Sequence, residues 1–166
     1  MTVFPEAPKL EKVSTLRARE MRCLAEDHLT YVKMPFGFSL EILIKAGYLT
    51  DGASVPEWGT SIIGTPWDMP RLLAALVHDA LYSRKWKIRW LCDFVYWQIL
   101  KSTDHPTTMR EVEYDAIRLF GWRAWCNVSR QERRNAKALV FVRWRRTKNI
   151  SNSSIVQEHW KGIKQC

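Results

Sequence analysis

Only four of the 166 residues are cysteine, and no two of them form a C-x-x-C pair. The scatter of Cys23, Cys92, Cys126 and Cys166 excludes a zinc ribbon and a disulfide-stapled scaffold, and predicts free thiols, three of them in or near the core. Long hydrophobic runs are missing too. The longest, such as 72–77 and 138–142, fall far short of the roughly 18 residues that a membrane span requires. The opening Met1-Thr2-Val3-Phe4-Pro5-Glu6 has neither the basic head nor the apolar middle of a secretory signal, so a cytoplasmic setting is expected. No internal repeat is visible, and no G-x-S-x-G elbow surrounds Ser54. Acidic residues are scarce, 17 against 26 lysines and arginines, for a net charge of +9. What remains, 46% apolar and 26% charged, is enough to build one folded domain.

The positive charge is concentrated. Residues 129–150 hold eight basic groups against Glu132 alone, so one segment supplies most of the excess. Ser129 with Glu132 makes a capping box, and Ala136, Leu139, Val140 and Val142, extended by Phe141 and Trp144, populate an apolar face. A basic amphipathic helix is therefore expected from Ser129. Its Arg130, Arg133, Arg134, Lys137, Arg143, Arg145 and Arg146 are candidates for binding nucleic-acid phosphates, an anionic membrane or an acidic protein partner, or else for a solvated outer face.

Upstream, Val13, Leu16, Met21 and Leu24 suggest a helix over about Lys12 to Glu26. Residues 30–34 and 38–44 read as strands joined at Pro35-Phe36-Gly37, the second alternating Phe38, Leu40, Ile42 and Ile44 with Ser39 and Glu41. Glycine and proline punctuate 47–68 so densely that a structured loop is expected, and long loops in small domains tend to carry function. Asp68 and Pro70 open an almost wholly apolar helix over 71–82. Further helices are expected over about 86–100 and, capped by Thr108 with Glu111, up to about Trp125. Residues 149–154 read as a flexible link to a short tail.

Two ionisable residues interrupt the 71–82 helix. Burying a charge without a partner is expensive, so His78 and Asp79 require polar company. Tyr82, four residues after His78, shares its face, whereas Asp79 points about 100° round the helix. Asp93, the only acid in the following helix, is the expected mate of His78. A carboxylate on one imidazole nitrogen fixes the tautomer and leaves the other nitrogen as a base toward water. Asp79, with Asp51 and the carbonyl-rich Thr50-Asp51-Gly52-Ala53-Ser54 loop, has the oxygen ligands of a hard cation such as Ca²⁺. The alternative is a buried network in which these residues tie the loop to two helices, with Thr50, Asp51 and Ser54 bonding the loop backbone.

The stretches 45–56 (KAGYLTDGASVP) and 74–82 (AALVHDALY), then Asp93 with Tyr96 and 116–122 (AIRLFGW), resemble a family of small proteins encoded by tailed bacteriophages and prophages. That family is marked by a G-F-x-T-D-x-A-S-V-P loop and an H-D-x-L-Y helix. Here Tyr48 and Tyr96 stand where phenylalanine is common, and Cys92 where alanine is common. The family has no settled activity. A second similarity, carried by fewer residues, is to the secreted and parvoviral phospholipases A2. It implies His78 as general base, Asp79 as a Ca²⁺ ligand, Asp93 as the orienting acid and Tyr82 as its hydrogen-bonding companion. The chain departs from those enzymes in having T-D-G-A-S where they have a loop with more glycines, and in lacking their flanking cysteines.

These readings predict an α+β protein, a short antiparallel β element packed on a bundle of about four helices. Its expected segments are a leader helix (1–29), the family domain (30–128) and a basic helix with a flexible tail (129–166). The expected function is a phage accessory protein with a His-Asp site, a Ca²⁺-dependent hydrolase of lipid or envelope esters. The rival is a non-enzymatic virion or host-interaction protein. Expected partners are phage structural proteins or a host envelope component, with nucleic acid or anionic membrane on the basic helix. The host cytoplasm or the virion is the expected location.

Overall fold

The computed structural model describes residues 7–16, 19–50, 71–103 and 105–146. An α+β architecture emerges, with two antiparallel three-stranded sheets and four helices among these residues. Strands β1 (Leu10–Leu16), β2 (Arg19–Leu24) and β5 (Leu49–Thr50) form one sheet in the order β1-β2-β5. The other, in the order β3-β4-β6, contains β3 (His28–Met34), β4 (Phe38–Ile44) and β6 (Val140–Arg146).

The helix expected over Lys12–Glu26 is instead the β1–β2 hairpin, with a register shift between Lys12 and Ser14 that leaves Val13 bulged and exposed. The spacing of its apolar residues never made a full helical stripe. Pairing with β5 and insertion of Leu24 into the core outweighed local helix propensity.

β3 and β4 pair in register from His28↔Ile44 to Met34↔Phe38. Pro35–Gly37 turn the chain between them, with Phe36 at φ 62° and Gly37 at φ 73°. Leu40, Ile42 and Ile44 face the core as their alternation predicts. Ser39 and Glu41 are also buried, contrary to that alternation, and Arg145 of β6 holds the Glu41 carboxylate at 3.0 Å. A central strand covered on both faces needs such a partner.

Helix α1 (Arg71–Arg84) is buried on nearly every side. It ends in a Schellman motif: Lys85 N–H donates to Tyr82 O and Trp86 N–H to Leu81 O. Lys85, at φ 55°, occupies the left-handed position that favours glycine. It is held there by its ammonium, which donates to the Trp125 carbonyl and lies 4.7 Å from the centre of the Trp125 ring. Helix α2 (Arg89–Ser102) follows. Helix α3 (Thr107–Asn127) starts behind Pro106 without the expected Thr108 cap, because Glu111 accepts from Trp97 Nε1 and Arg110 instead.

Helix α4 (Arg130–Leu139) has the predicted Ser129–Glu132 capping box, with both reciprocal bonds made. It stops ten residues later. Val140–Arg146 run as β6 against β4, from Ile44↔Val140 to Phe38↔Arg146. The apolar positions credited to one helical face, Val140, Phe141, Val142 and Trp144, are β-branched or aromatic and suit a pleated ladder better. Arg143, Arg145 and Arg146 consequently leave the helix.

The apolar core draws on Leu24, on β3 and β4, on α1 and α2, and on Ala136 and Val140. Cys92 is buried and Cys23 half-buried, whereas Cys126 is exposed, contrary to the expectation of three core thiols; Cys166 lies outside the described residues. So do Asp68, Pro70, most of the 47–68 loop and the 149–154 link. Among the described residues no helix is long and apolar enough to cross a membrane.

Candidate functional site

His78 and Tyr82 share one face of α1, as their spacing dictates, with ring centres 4.0 Å apart. Opposite them on α2 lies Asp93, fully buried at 0% exposure. His78 Nε2 is 3.0 Å from Asp93 Oδ1, and the Tyr82 hydroxyl donates to the same oxygen. Arg118 of α3 donates to Asp93 Oδ2 at 2.6 Å, and Arg89 Nη1 stands 3.9 Å from it. One buried carboxylate thus gathers three donors from two helices.

On the other side of the imidazole, Nδ1 faces Asp79 Oδ1 at 3.9 Å, beyond direct hydrogen-bond reach. Asp79 Oδ2 accepts from Thr50 Oγ1 at 3.2 Å. Thr50 ends β5, so the β1-β2-β5 sheet brings Thr50, the first residue of the expected 50–54 loop, to the His78 helix. Asp51, Gly52 and Ser54 lie outside the described residues. Among the described residues no three metal-binding side chains gather at one point.

Burial pulls the His78 pKa down, but the Asp79 and Asp93 carboxylates on either side of the ring outweigh it and hold it above the ordinary 6.5. Burial pushes Asp93 up, yet its bonds from His78, Tyr82 and Arg118 keep it below the usual carboxylate value. Desolvation and the Asp93 carboxylate raise the Tyr82 phenol, so it stays a donor. The arrangement holds a tautomer-fixed imidazole against an anionic, immobile carboxylate.

A second buried cluster continues the first along the same helices. Arg71, two turns before His78 on α1, donates to Glu113 Oε1 through Nε at 3.0 Å and Nη2 at 2.8 Å. Tyr96 donates to Glu113 Oε2 at 2.8 Å, and His105 Nε2 lies 3.1 Å from Oε1. Tyr96 also meets the His78 ring edge to face at 5.5 Å. Arg118, Asp93, His78, Tyr96, Glu113 and Arg71 therefore form one polar seam where α1, α2 and α3 meet.

Sequence reasoning identified the His78–Asp93–Tyr82 half and missed the rest. Arg118 and Glu113 sit in a helix with balanced charges that reads as a solvated surface. A signal was available in Arg71, which shares the His78 stripe at i−7 on an otherwise apolar helix. Gly121 was a second. A Cβ there would lie 2.8 Å from the Tyr82 hydroxyl and 3.6 Å from Arg89 Nη1, so its bareness lets the phenol reach Asp93 beside the α3 backbone.

The basic residues separate into groups. Arg130, Arg133, Arg134 and Lys137 share one exposed stripe of α4, while Ala136 is buried at its side. Glu113 and Glu111 of α3 do not hold them, because Glu113 is taken by Arg71 and His105, and Glu111 by Trp97 and Arg110. Arg143 and Arg145 lie on the Glu41 face of β6, whereas Arg146 lies on the face of Trp144.

Residues 26–117 match the family described as "protein of unknown function (DUF1353)", more than half of the chain and including His78, Asp93, Tyr96 and Glu113. The chain belongs to the DUF1353 family. Within this DUF1353 protein the matched region ends just before Arg118, so Gly121, α4 and β6 lie beyond it. Neither the curated proteins nor the solved structures contain a match.

Proposed function

We propose that this DUF1353 protein is a bacteriophage or prophage accessory hydrolase that uses His78 as its general base on a lipid or other envelope ester. The carrying observation is the His78 Nε2–Asp93 Oδ1 pair at 3.0 Å, with Nδ1 on the opposite side of the ring, turned toward Asp79 Oδ1 at 3.9 Å. In this reading Nδ1 takes a proton from an attacking water, and Asp93 stabilises the imidazolium that forms. Tyr82 and Arg118 keep Asp93 fixed and ionised. Asp79 is the proposed protein ligand of Ca²⁺, joined by Asp51 and the 50–54 loop; the ion when bound would polarise the ester carbonyl. Asp79 fits that role in being partly exposed and in bonding Thr50, at the entry of the loop.

The test combines Ca²⁺ titration calorimetry with turnover of short-chain and phospholipid esters. His78→Ala and Asp93→Asn should each lower turnover by about 10²–10⁴-fold in folded protein. Asp79→Asn should abolish Ca²⁺ binding. Wild-type protein that binds no Ca²⁺ and turns over no ester overturns the reading.

A second reading draws on the exposed Arg130, Arg133, Arg134 and Lys137. Here the protein is a non-enzymatic virion or host-interaction component. The basic helix docks nucleic acid, anionic membrane or a phage protein, and the seam is structural. Charge reversal of Arg133, Arg134 and Lys137 removing that interaction, with no hydrolysis by the wild type, would favour it.

A further inference from the structure

Three stretches distant in sequence meet around a row of aromatic rings. Phe38 of β4 contacts Trp144 of β6 edge to face, with ring centres 6.3 Å apart, and Trp144 lies over Trp86 of the α1–α2 connection at 6.0 Å. The register explains the first contact, since Leu40 pairs with Trp144 and Phe38 with Arg146 on the same face of the ladder. Trp86 is the buried floor of the row, whereas Phe38 and Trp144 are partly open at 37% and 42% exposure.

The surroundings of that row are apolar and unusually open. Phe36, two residues before Phe38 at the hairpin tip, is 96% exposed, and Ile88, two residues after Trp86, is 60% exposed. Phe36 also sits at φ 62°, a conformation glycine adopts without steric cost and a bulky residue does not. A protein gains nothing internally from a solvated phenyl held in that conformation.

Charge supplies the second half of the argument. Residues 33–38, 84–91 and 143–146 contain eight lysines and arginines and no aspartate or glutamate. Several are engaged, among them Arg145 by Glu41, Lys85 by Trp125, and Arg89 by Asp93 and the carbonyls of α3. Lys87 and Arg146 are exposed beside the aromatic row. Apolar residues that can enter an acyl layer, tryptophan at the boundary and lysine or arginine at the rim are the composition of a surface that sits on anionic lipid. A single-stranded nucleic acid would instead stack along successive open aromatic faces; here only Phe36 is fully open, Trp86 is buried and Trp144 is covered on one side by Trp86.

We propose that the β3–β4 hairpin tip, Ile88 and the Trp144–Arg146 end of β6 form a docking surface for anionic lipid bilayers. Phe36 and Ile88 enter the acyl boundary, and Lys87 and Arg146 meet the lipid phosphates. This surface is separate from the α4 arginines and needs no hydrolysis to be observed.

The test is sedimentation of the full chain with vesicles of phosphatidylcholine alone or with about one-third phosphatidylglycerol, followed by tryptophan emission. Wild type should bind the anionic vesicles at least tenfold more tightly than the neutral ones, with a blue shift, and binding should weaken as salt rises. Phe36→Gly with Ile88→Ser should weaken binding at least tenfold while the thermal midpoint holds, since glycine suits φ 62°. Lys87→Glu with Arg146→Glu should remove the preference for anionic lipid. Charge reversal of Arg133, Arg134 and Lys137 should leave binding within about twofold if this is the lipid-facing surface. The proposal is overturned if the wild type binds neither vesicle, or if only the α4 reversal reduces binding. It is equally overturned if the Phe36 and Ile88 changes abolish single-stranded DNA binding or self-association without any vesicle binding.

Discussion

Asp93 and Glu113 are buried with three donor side chains each, whereas His28 Nε2 and Thr30 Oγ1, on the inner face of β3, are buried with none. The two histidines sharpen the contrast. His78 sits between carboxylates and its pKa is raised; His28 has only burial acting on it, and its pKa falls to about 4. Burial alone therefore does not say how a polar residue behaves. In the seam each group is the solvation of another, so the members stand or fall together. Under β3 the polar atoms are isolated, and each contributes only its own desolvation cost.

The largest expected effect follows from breaking the seam at Glu113. Glu113→Gln removes the buried negative charge that Arg71, Tyr96 and His105 share and should cost about 3–5 kcal/mol in a urea titration. A loss below about 1 kcal/mol would put the seam on a level with the isolated groups of β3.

Acid comes next. His28 has a folded pKa of about 4 against an ordinary 6.5, so its neutral form is the one the fold accepts. Its contribution is complete above pH 6.5 and is lost as pH falls toward 4, a change on the order of 3 kcal/mol. His78 has the opposite sign: its contribution is complete below the ordinary value and is lost as pH rises through its elevated pKa. Stability measured from pH 4 to 7 should slope less in His28→Leu than in wild type. Parallel curves for the two proteins would show that His28 is not held neutral by burial.

The smallest effect sharpens the seam's own geometry. Gly121→Ala should destabilise wild type by about 1–3 kcal/mol, because the new methyl group meets the Tyr82 hydroxyl. In a Tyr82→Phe background that oxygen is gone, and alanine should be neutral or favourable by up to about 1 kcal/mol through helix propensity. Equal costs in the two backgrounds would show that Gly121 is not there for the phenol.

Local chemistry made half of this molecule readable. The Ser129 capping box, the Pro35–Gly37 turn and the apolar α1 helix each depend on residues within one turn of one another, and each formed as expected. His78, Tyr82 and Asp93 were legible for a similar reason, as lone polar interruptions in apolar helices. Lys12–Glu26 and Val140–Arg146 were misread because their partners are remote: β2 is fixed by β5, and β6 by β4. Periodicity within 15 residues cannot register a ladder made with a strand elsewhere. Glu113 was hidden differently, among Glu111 and Asp115, where nothing nearby marks the one acid that turns inward.

The pairing of Ile44 with Val140 closes a loop on the order of 100 residues, and this orders events during synthesis. Helices α1, α2 and α3 are all translated inside that loop, before the strand that completes the sheet. Until residues 140–146 have left the ribosome, β4 is an edge strand carrying Leu40, Ile42 and Leu43 beside an open row of backbone donors and acceptors. A nascent chain halted short of Val140 would have its helices and its His-Asp pair encoded in full, yet would present the most adhesive surface of the fold to its neighbours.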